Sequence, residues 1–154
     1  MREDYINLWE IPADARVITT NGTIKANGRA VMGRGCAREA TQKFPYLQIA
    51  LGRHLQTHGN HVGLLRWSGD PEYALVAMPV KHEWHLRADL KLIEQSTIEL
   101  VALADKYEWK QIALPRPGCG NGQQRWSVVR GIIQPYLDDR FTVVTFDDAY
   151  RQES

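Results

Sequence analysis

The sequence predicts a three-layer α/β domain in which helices cover both faces of a mostly parallel or mixed sheet. Two observations lead to this fold class: predicted strands and helices alternate along the chain, and several strands are apolar at every position, as in strands buried on both faces. The length of 154 residues suits one domain with its own core. Because nothing repeats and no low-complexity linker divides the chain, we treat residues 1–154 as a single domain.

The first third of the chain begins with two predicted strands, over 3–9 and 15–21, which a proline separates. A loop of small residues follows over 22–35. It leads into a helical stretch over 36–55, which we expect to be interrupted at Phe44-Pro45, because proline disfavours the helical conformation in the residue before it.

The middle third contains two apolar strands and a long helix. The strands are predicted over 62–67 and 73–80, with a glycine- and proline-containing turn at 68–71 between them. The helix is predicted over 88–106, where apolar side chains recur every three or four residues and form one buried stripe.

The last third repeats the alternation. Residues 112–115 are predicted to form a short buried strand, 126–137 an amphipathic helix that Pro135 bends, and 141–146 a final strand. Strands separated in this way by helices complete the three-layer arrangement.

The composition excludes several classes of protein. Charged residues make up 24% of the chain, the net charge is +1 and there are two cysteines, so disorder, a disulfide-stapled secreted domain and a non-specific DNA coat are all disfavoured. No apolar run approaches the roughly 18 residues that a membrane span needs, and the start has no secretory pattern. We expect a cytoplasmic protein that has no membrane partner and is a monomer.

Charge is unevenly distributed along the chain. Residues 22–45 carry five basic side chains against Glu39, a net charge of +4, whereas 137–154 carry a net charge of −3. We interpret the acidic end as a solvated terminus. The basic stretch coincides with a glycine-rich loop and offers a surface for a DNA strand.

Two predicted strand-to-helix loops are rich in glycine, the first glycine loop at 20–35 and the second at 116–124. Ligands of open α/β sheets bind beyond the carboxyl ends of the strands. Glycine lets the backbone approach a ligand closely, and consecutive amides at a helix N-terminus suit phosphate oxygens. One such loop is usually a plain turn, but two at equivalent junctions predict a ligand with two phosphates.

The first glycine loop departs from two common nucleotide-binding motifs. Gly28 and Gly33 have the spacing of a P-loop, but Arg34 and Gly35 stand where the lysine and the hydroxyl residue belong. A magnesium ligand is therefore missing, and triphosphate hydrolysis is disfavoured. The third glycine of a dinucleotide fingerprint is also missing, which disfavours NAD-type redox chemistry.

Lys81 follows the predicted core strand 73–80, so it lies at the same edge of the sheet as the two glycine loops. It is either a solvated loop lysine or a lysine whose pKa is lowered by burial and neighbouring cations, available as a nucleophile or a proton-transfer group. Trp84, in the same loop, is the tryptophan that we consider for stacking on a base.

The histidines and cysteines do not form a recognisable metal or thiol site. His54 and His58 are spaced by four residues near a helix end, but no third-ligand pattern completes a site. Cys36 and Cys119 lack a neighbouring histidine motif, so nucleophilic thiol chemistry is a minor interpretation. We predict no metal site and no cofactor.

Three segments resemble a macrodomain. They are ITTNGTIKANGRAVMGRGCA at 18–37, AMPVKHEW at 77–84 and LPRPGCGNG at 114–122, followed by Trp126. They occur in the family's order, and the similarity spans about 5–146. Within the family they are most similar to the DarG-type DNA ADP-ribosyl glycohydrolases and the terminal ADP-ribose protein glycohydrolases.

The resemblance implies an α/β/α fold around a mixed, roughly six-stranded sheet, with ADP-ribose bound in a crevice. Lys81 matches the lysine on which DarG-type hydrolysis depends. Asn7 falls where many macrodomains place an adenine-contacting aspartate, and Asn27 matches the asparagine near the distal ribose. The residues implied to bind ADP-ribose are Asn7, Leu8, Asn21, Asn27, Val31, Met32, Gly33, Gly35, Gly118, Cys119, Gly120, Asn121 and Gly122.

One position departs from the protein-directed glycohydrolases, which carry an aspartate two residues after the GCG triplet. Here that position is Gly122, as expected of a DarG-type loop. The resemblance therefore implies an ADP-ribosyl hydrolase that acts on thymidine-linked ADP-ribose in DNA, with further activity on acidic residues of proteins. A thymine imide leaves as a delocalised anion, so its departure does not require a carboxylic acid.

Two other functions stay open at this stage, a non-catalytic reader of ADP-ribose and an ADP-ribose 1″-phosphate phosphatase. The expected partners are ADP-ribose, ADP-ribosylated DNA and an ADP-ribosyltransferase counterpart. A hydrolase of this kind reverses ADP-ribosylation, either as an antitoxin or in the DNA damage response.

Overall fold

The computed structural model describes residues 1–65 and 72–146. The predicted turn at 68–71, the end of the predicted strand at 66–67 and the acidic residues of 147–154 lie outside the described residues.

Strands and helices alternate in the described residues as the sequence predicts. The strands are β1 (Arg2–Tyr5), β2 (Ala15–Asn21), β3 (Gly63–Leu64), β4 (Ala74–Lys81), β5 (Ile112–Pro115) and β6 (Phe141–Thr145). The helices are α1 (Gly35–Lys43), α2 (Leu47–His58), α3 (Leu90–Tyr107) and α4 (Trp126–Ile133). None of these helices is both long enough and apolar enough to span a membrane.

The strands form a mixed sheet in the order β1-β6-β5-β2-β4-β3. All neighbours are parallel except β3, which pairs antiparallel with β4. Val17 packs with the residues of α3 and α4, whereas its neighbour Ile18 packs with those of α1 and α2. Because successive side chains of a strand point to opposite faces, both faces of the sheet are covered by helices. The predicted three-layer fold around a mixed six-stranded sheet is confirmed.

The five parallel strands bring their carboxyl ends to one edge of the sheet, in the spatial order β1, β6, β5, β2 and β4. Neighbouring strands lie about 4.8 Å apart, so the end of β6 and the end of β4 are separated by about 14 Å. Lys81 is the last residue of β4 and Asn21 the last residue of β2, and the two are paired in the sheet. This edge places the loops that carry the candidate site.

The interruption predicted between the first two helices is confirmed, since α1 ends before Phe44 and α2 begins at Leu47. Phe44 has a non-helical backbone, with φ at −134° and ψ at 83°. A following proline disfavours the helical conformation at this position.

Three predicted elements are shorter in the structure, and of the described part of the strand predicted over 62–67 only Gly63–Leu64 forms β3. Strand β1 ends at Tyr5, because the Asn7 side chain accepts a hydrogen bond of 2.9 Å from the Trp9 amide and closes a turn over the residues predicted as a strand. Helix α4 ends at Ile133 rather than at 137. Pro135 has no amide hydrogen with which to continue the helical hydrogen bonds.

Candidate functional site

A cleft of about 890 Å³ opens at the carboxyl edge of the sheet. Its floor is formed where β6, β5, β2 and β4 end, and the glycine loops that follow β2 and β5 form its middle. The strand order therefore places Phe146 at one end of the cleft and Lys81 at the other. The two glycine-rich segments lie between these ends, as the sequence predicts.

The first glycine loop ends at the N-terminus of α1, which opens into the cleft. Arg34, Gly35, Cys36 and Ala37 all line the cleft, and Gly35 has a positive φ of 58°. No side chain caps this helix N-terminus, and its first turn carries no acidic residue. The uncapped amides and the positive end of the helix dipole therefore favour an anion.

Asn21 holds the two ends of this loop together. Its side-chain nitrogen donates a hydrogen bond of 3.0 Å to the Val31 carbonyl, and its side-chain oxygen accepts one of 2.9 Å from the Thr23 amide. The same residue ends β2 beside Lys81. Asn21 thus fixes the segment 31–35 against the floor of the cleft.

The second glycine loop is packed so closely that position 122 has no room for a side chain. A Cβ on Gly122 would lie 2.4 Å from the carbonyl oxygen of Gly118 and 2.8 Å from the Cβ of Ala88. Gly118 itself has a positive φ of 72°, and its carbonyl accepts a hydrogen bond of 2.9 Å from the Gln124 amide. The glycines therefore shape a tight backbone turn at the cleft.

Lys81 stands at the β4 end of the cleft with its side chain half-buried. The Asn60 side chain donates a hydrogen bond of 3.0 Å to the Lys81 carbonyl, and Lys81 Nζ donates one of 3.3 Å to the Trp84 carbonyl. Burial lowers the pKa of the Lys81 ammonium, and the positive charge of Arg34 lowers the pKa further. A lysine in this environment holds its proton less tightly than a solvated loop lysine.

The charges that line the cleft are mainly positive. Among the described residues, three cations line it, Arg34, Lys81 and Arg116, against one carboxylate, that of Glu39. Glu39 accepts a hydrogen bond of 3.1 Å from the indole nitrogen of Trp9. The cleft therefore suits an anionic ligand, and the described residues provide no carboxylate beside Lys81.

The opposite end of the cleft is apolar and aromatic. Phe146 is 61% exposed and stacks on Tyr5 with ring centroids 5.8 Å apart. Ile6 and Leu8 line the cleft beside it. Aromatic and aliphatic side chains of this kind favour contact with a flat ring system.

Comparison with solved structures identifies the fold. The macrodomain of Mycobacterium tuberculosis DarG matches with a TM-score of 0.78 at 21% sequence identity, over 93% of this chain and 95% of that chain. The macrodomain of Thermus aquaticus DarG matches with a TM-score of 0.76 at 26% identity, over 95% and 97% of the two chains. This chain has the macrodomain fold. The resemblance noted from the sequence is thereby confirmed.

A third similar structure is Thermosipho africanus DarTG in complex with ADP-ribose. It matches this macrodomain with a TM-score of 0.73 at 20% identity, over 86% of this chain and 38% of that chain. No family model matches the chain, and no curated protein matches it.

The macrodomain cleft brings together all but one of the residues predicted for the site. Lys81, Asn7, Leu8 and Asn21 line it, together with the predicted residues of both glycine loops. The exception is Asn27, which is exposed and accepts a hydrogen bond of 3.0 Å from the Arg29 amide.

Asn27 lies in a part of the first glycine loop that folds as a short hairpin. Ile24 and Ala30 pair across this hairpin, and the Lys25 amide donates a hydrogen bond of 2.8 Å to the Arg29 carbonyl. Asn27 therefore lies at the tip of the hairpin and is not among the residues that line the cleft. Asn21 is the asparagine of this loop that lines the cleft.

Among the cleft residues that the sequence did not point to as site residues are Arg34, Arg116 and Phe146. Arg116 immediately follows β5, with its guanidinium 4.9 Å from the ring centroid of Trp126, and Phe146 immediately follows β6. Their position after the carboxyl end of a parallel strand was the available signal, because the residues that follow such strands line the crevice. Arg34 precedes the first residue of a helix that opens into the cleft.

The structure also shows the surroundings of the Cys36 thiol and of the possible metal ligands. Cys36 lines the cleft, but burial raises the pKa of its thiol, and its sulfur lies 3.3 Å from the Thr19 amide nitrogen. Within residues 1–65 and 72–146, no group of three or more histidine, cysteine or acidic side chains is placed to hold a metal ion.

Proposed function

We propose that this macrodomain binds ADP-ribose in the cleft and hydrolyses the N-glycosidic bond that joins ADP-ribose to a thymine base in DNA. The observation that carries the proposal is the position of Lys81. This lysine has a lowered pKa and lies at the end of an anion-binding cleft in which the described residues place no carboxylate beside it. The ADP-ribose held by the structurally similar Thermosipho africanus DarTG supports the choice of ligand.

The order of features along the cleft matches the order of groups in ADP-ribose. Adenine stacks on Phe146 between the apolar side chains of that end. The two phosphates bind the backbone amides of the two glycine loops, with Arg34 and Arg116 as counter-charges. The distal ribose then reaches Asn21 and Lys81, about 14 Å from the β6 end of the sheet.

The chemistry follows from the neutral amine that a lowered pKa makes available. Lys81 Nζ attacks C1″ of the distal ribose, and the bond from C1″ to the thymine nitrogen breaks with its electron pair on the base. The imide anion that leaves is delocalised over two carbonyl groups and takes the proton that the amine loses. Water then cleaves the bond between C1″ and Nζ, which releases ADP-ribose and restores Lys81.

The preference for a base over a protein carboxylate follows from position 122. The protein-directed enzymes that this chain resembles place an aspartate there, and Gly122 has no space for one. The binding energy of the distant adenine and phosphates orients C1″ against Lys81, so that the reaction proceeds without that acid.

The decisive experiment measures ADP-ribose release from thymidine-ADP-ribosylated single-stranded DNA and from a glutamate-ADP-ribosylated protein. We expect wild type to cleave the DNA and Lys81→Ala to be inactive. Lys91→Ala, which removes an exposed lysine outside the cleft, is the matched control and keeps full activity. ADP-ribose binding without release from either substrate would contradict the hydrolase and make this chain a reader. Phosphate release from ADP-ribose 1″-phosphate would favour the phosphatase.

A further inference from the structure

Trp84 is an exposed tryptophan at the Lys81 end of the cleft. Its side chain is 49% exposed, lines the cleft and belongs to none of the hydrophobic core clusters. Its ring meets the His85 ring edge-on, with centroids 5.4 Å apart. A large aromatic face is thus left open beside the reactive lysine.

The backbone that carries this ring is fixed on several sides. The Trp84 amide donates a hydrogen bond of 2.9 Å to the Thr23 hydroxyl, and its carbonyl accepts the hydrogen bond from Lys81 Nζ. One residue after Lys81, the His82 carbonyl accepts a hydrogen bond of 3.2 Å from the Gly22 amide. An exposed ring on a fixed backbone binds a flat partner at a lower entropic cost than a ring on a loose loop.

The neighbouring segment is the basic hairpin, residues 22–30. It contains Lys25 and Arg29, both exposed, and no acidic residue. In the part of the chain that the structure describes, neither side chain forms an ion pair. Thr23 of this hairpin accepts the hydrogen bond from the Trp84 amide, so the segment that carries the two uncompensated cations adjoins the loop that carries the open ring.

An open aromatic ring next to a basic segment is an arrangement that binds single-stranded nucleic acid. Bases stack on the ring whatever their sequence, and the cations contact the phosphates on either side. An acidic peptide would use the cations but would leave the ring without a flat partner. The juxtaposition therefore favours a nucleic acid strand.

We propose that Trp84 stacks on a base of the single-stranded DNA substrate while Lys25 and Arg29 bind its backbone phosphates. The inference rests on the proposed function, because it names the surface that receives the strand beyond the ADP-ribose. It makes Trp84 a residue that determines the preference for a strand over a modified nucleoside.

The test separates strand binding from ADP-ribose binding. We would measure the Kd of an unmodified thymidine oligonucleotide of about 12 nucleotides, the Kd of free ADP-ribose, and KM for release from the modified oligonucleotide and from ADP-ribosylated thymidine. Trp84→Ala should raise the Kd of the oligonucleotide and the KM for the modified oligonucleotide by roughly 5- to 100-fold. The Kd of ADP-ribose and the KM for ADP-ribosylated thymidine should stay within about twofold of wild type. Trp84→Phe should retain most of the affinity because it keeps an aromatic face.

Leu86→Ala is the matched control, since Leu86 is an exposed apolar residue of the same loop that does not line the cleft. It should bind the oligonucleotide as wild type does. Replacing Lys25 and Arg29 by alanine should reduce the slope of log affinity against log salt by about 1.4, as two lost phosphate contacts require.

The outcomes distinguish this inference from the proposed function. Equal oligonucleotide affinity in wild type and Trp84→Ala overturns the inference, as does the absence of oligonucleotide binding by wild type. If Trp84→Ala loses as much activity on an ADP-ribosylated protein as on the modified oligonucleotide, the inference is also overturned, in favour of a protein partner. If wild type binds the strand through Trp84 but leaves the modified oligonucleotide intact, the surface is supported and the hydrolase is contradicted.

Discussion

The amide of Gly22 donates a hydrogen bond of 3.2 Å to the carbonyl of His82, and the two backbones touch. A Cβ on Gly22 would lie 2.6 Å from that same carbonyl oxygen. Gly22 follows β2 and His82 follows β4, so the contact joins the basic hairpin to the loop that follows Lys81. The backbone next to Lys81 thus packs against a glycine that is far from it in sequence.

We predict that Gly22→Ala lowers the rate of Lys81-dependent ADP-ribose release by about 10- to 100-fold, because the methyl group displaces the backbone at His82 and misplaces the amine. The Kd of ADP-ribose should change much less, since the phosphates bind other residues. Single-turnover kinetics and calorimetry measure the two quantities. Wild-type turnover by Gly22→Ala would contradict the prediction that this contact positions Lys81.

Much of the fold was predictable from sequence because its signals are local. Buried strands, the amphipathic helices and the break before Pro45 each follow from residues within one segment. Strand β1 was predicted too long for the same reason. Its sequence is compatible with a strand, and only the Asn7 side chain, bonded to the Trp9 amide, shows that the chain turns.

The site was predictable where a motif lies on the floor of the cleft and not where a loop folds away from it. Lys81 ends a predicted core strand, and the segment from Val31 to Gly35 leads directly into a predicted helix. Their positions next to regular elements indicate that both lie at the carboxyl edge of the sheet. Asn27, expected at the cleft, lies instead in a hairpin outside the residues that line it, and the Gly28 of that hairpin packs against α2. Sequence spacing alone does not contain that contact.

Two glycine-to-alanine substitutions in helices should change stability in opposite directions. A Cβ on Gly52, inside α2, would lie 2.0 Å from the Gly28 carbonyl oxygen, whereas a Cβ on Gly131, inside α4, would meet nothing within 4 Å. We expect Gly52→Ala to lower the free energy of unfolding by about 1–3 kcal/mol through overpacking. Gly131→Ala should raise it by about 0.5–1 kcal/mol through helix propensity. Chemical denaturation measures both, and stabilisation by Gly52→Ala would contradict the packing of the hairpin on α2.

Introducing the missing aspartate should not create a protein-directed enzyme. In Gly122→Asp the new Cβ would collide with the Gly118 carbonyl and the Ala88 side chain, so the second glycine loop has to move. We predict that the variant loses ADP-ribose affinity and does not gain release from a glutamate-linked protein. Gly122→Ala should show the same loss of affinity, since the collision begins at Cβ. Tight binding and protein-directed release by Gly122→Asp would refute the steric argument.

The rate of ADP-ribose release should rise with pH until Lys81 is deprotonated. Burial and Arg34 lower the pKa of Lys81, so the midpoint of the rise lies below the ordinary lysine value of about 10.4. Removing the cation in Arg34→Ala favours the charged amine and should move the midpoint to higher pH. The pH dependence of single-turnover rates at saturating enzyme measures both midpoints. A rate that falls as pH rises through this range would mean that Lys81 acts as a cation and not as a nucleophile.

Arg16 supports the aromatic end of the cleft from beneath. Its side chain is buried, and one guanidinium nitrogen donates hydrogen bonds of 2.8 Å and 2.7 Å to the carbonyls of Leu8 and Ile11. The guanidinium also lies 4.3 Å from the ring centroid of Tyr73. The turn that brings Leu8 to the cleft is therefore fixed by an arginine that does not line it.

We predict that Arg16→Met lowers the free energy of unfolding by about 1–3 kcal/mol, because the carbonyls it served lose their buried donor. The affinity for ADP-ribose should fall as well, since the turn loosens beneath the adenine. The rate of release at saturating substrate should persist, because Lys81 stands on another strand. Arg130→Met, which breaks an exposed ion pair with Glu3, is the matched control and should cost less than about 1 kcal/mol. Equal stability and equal ADP-ribose affinity in the two variants would show that the turn does not depend on Arg16.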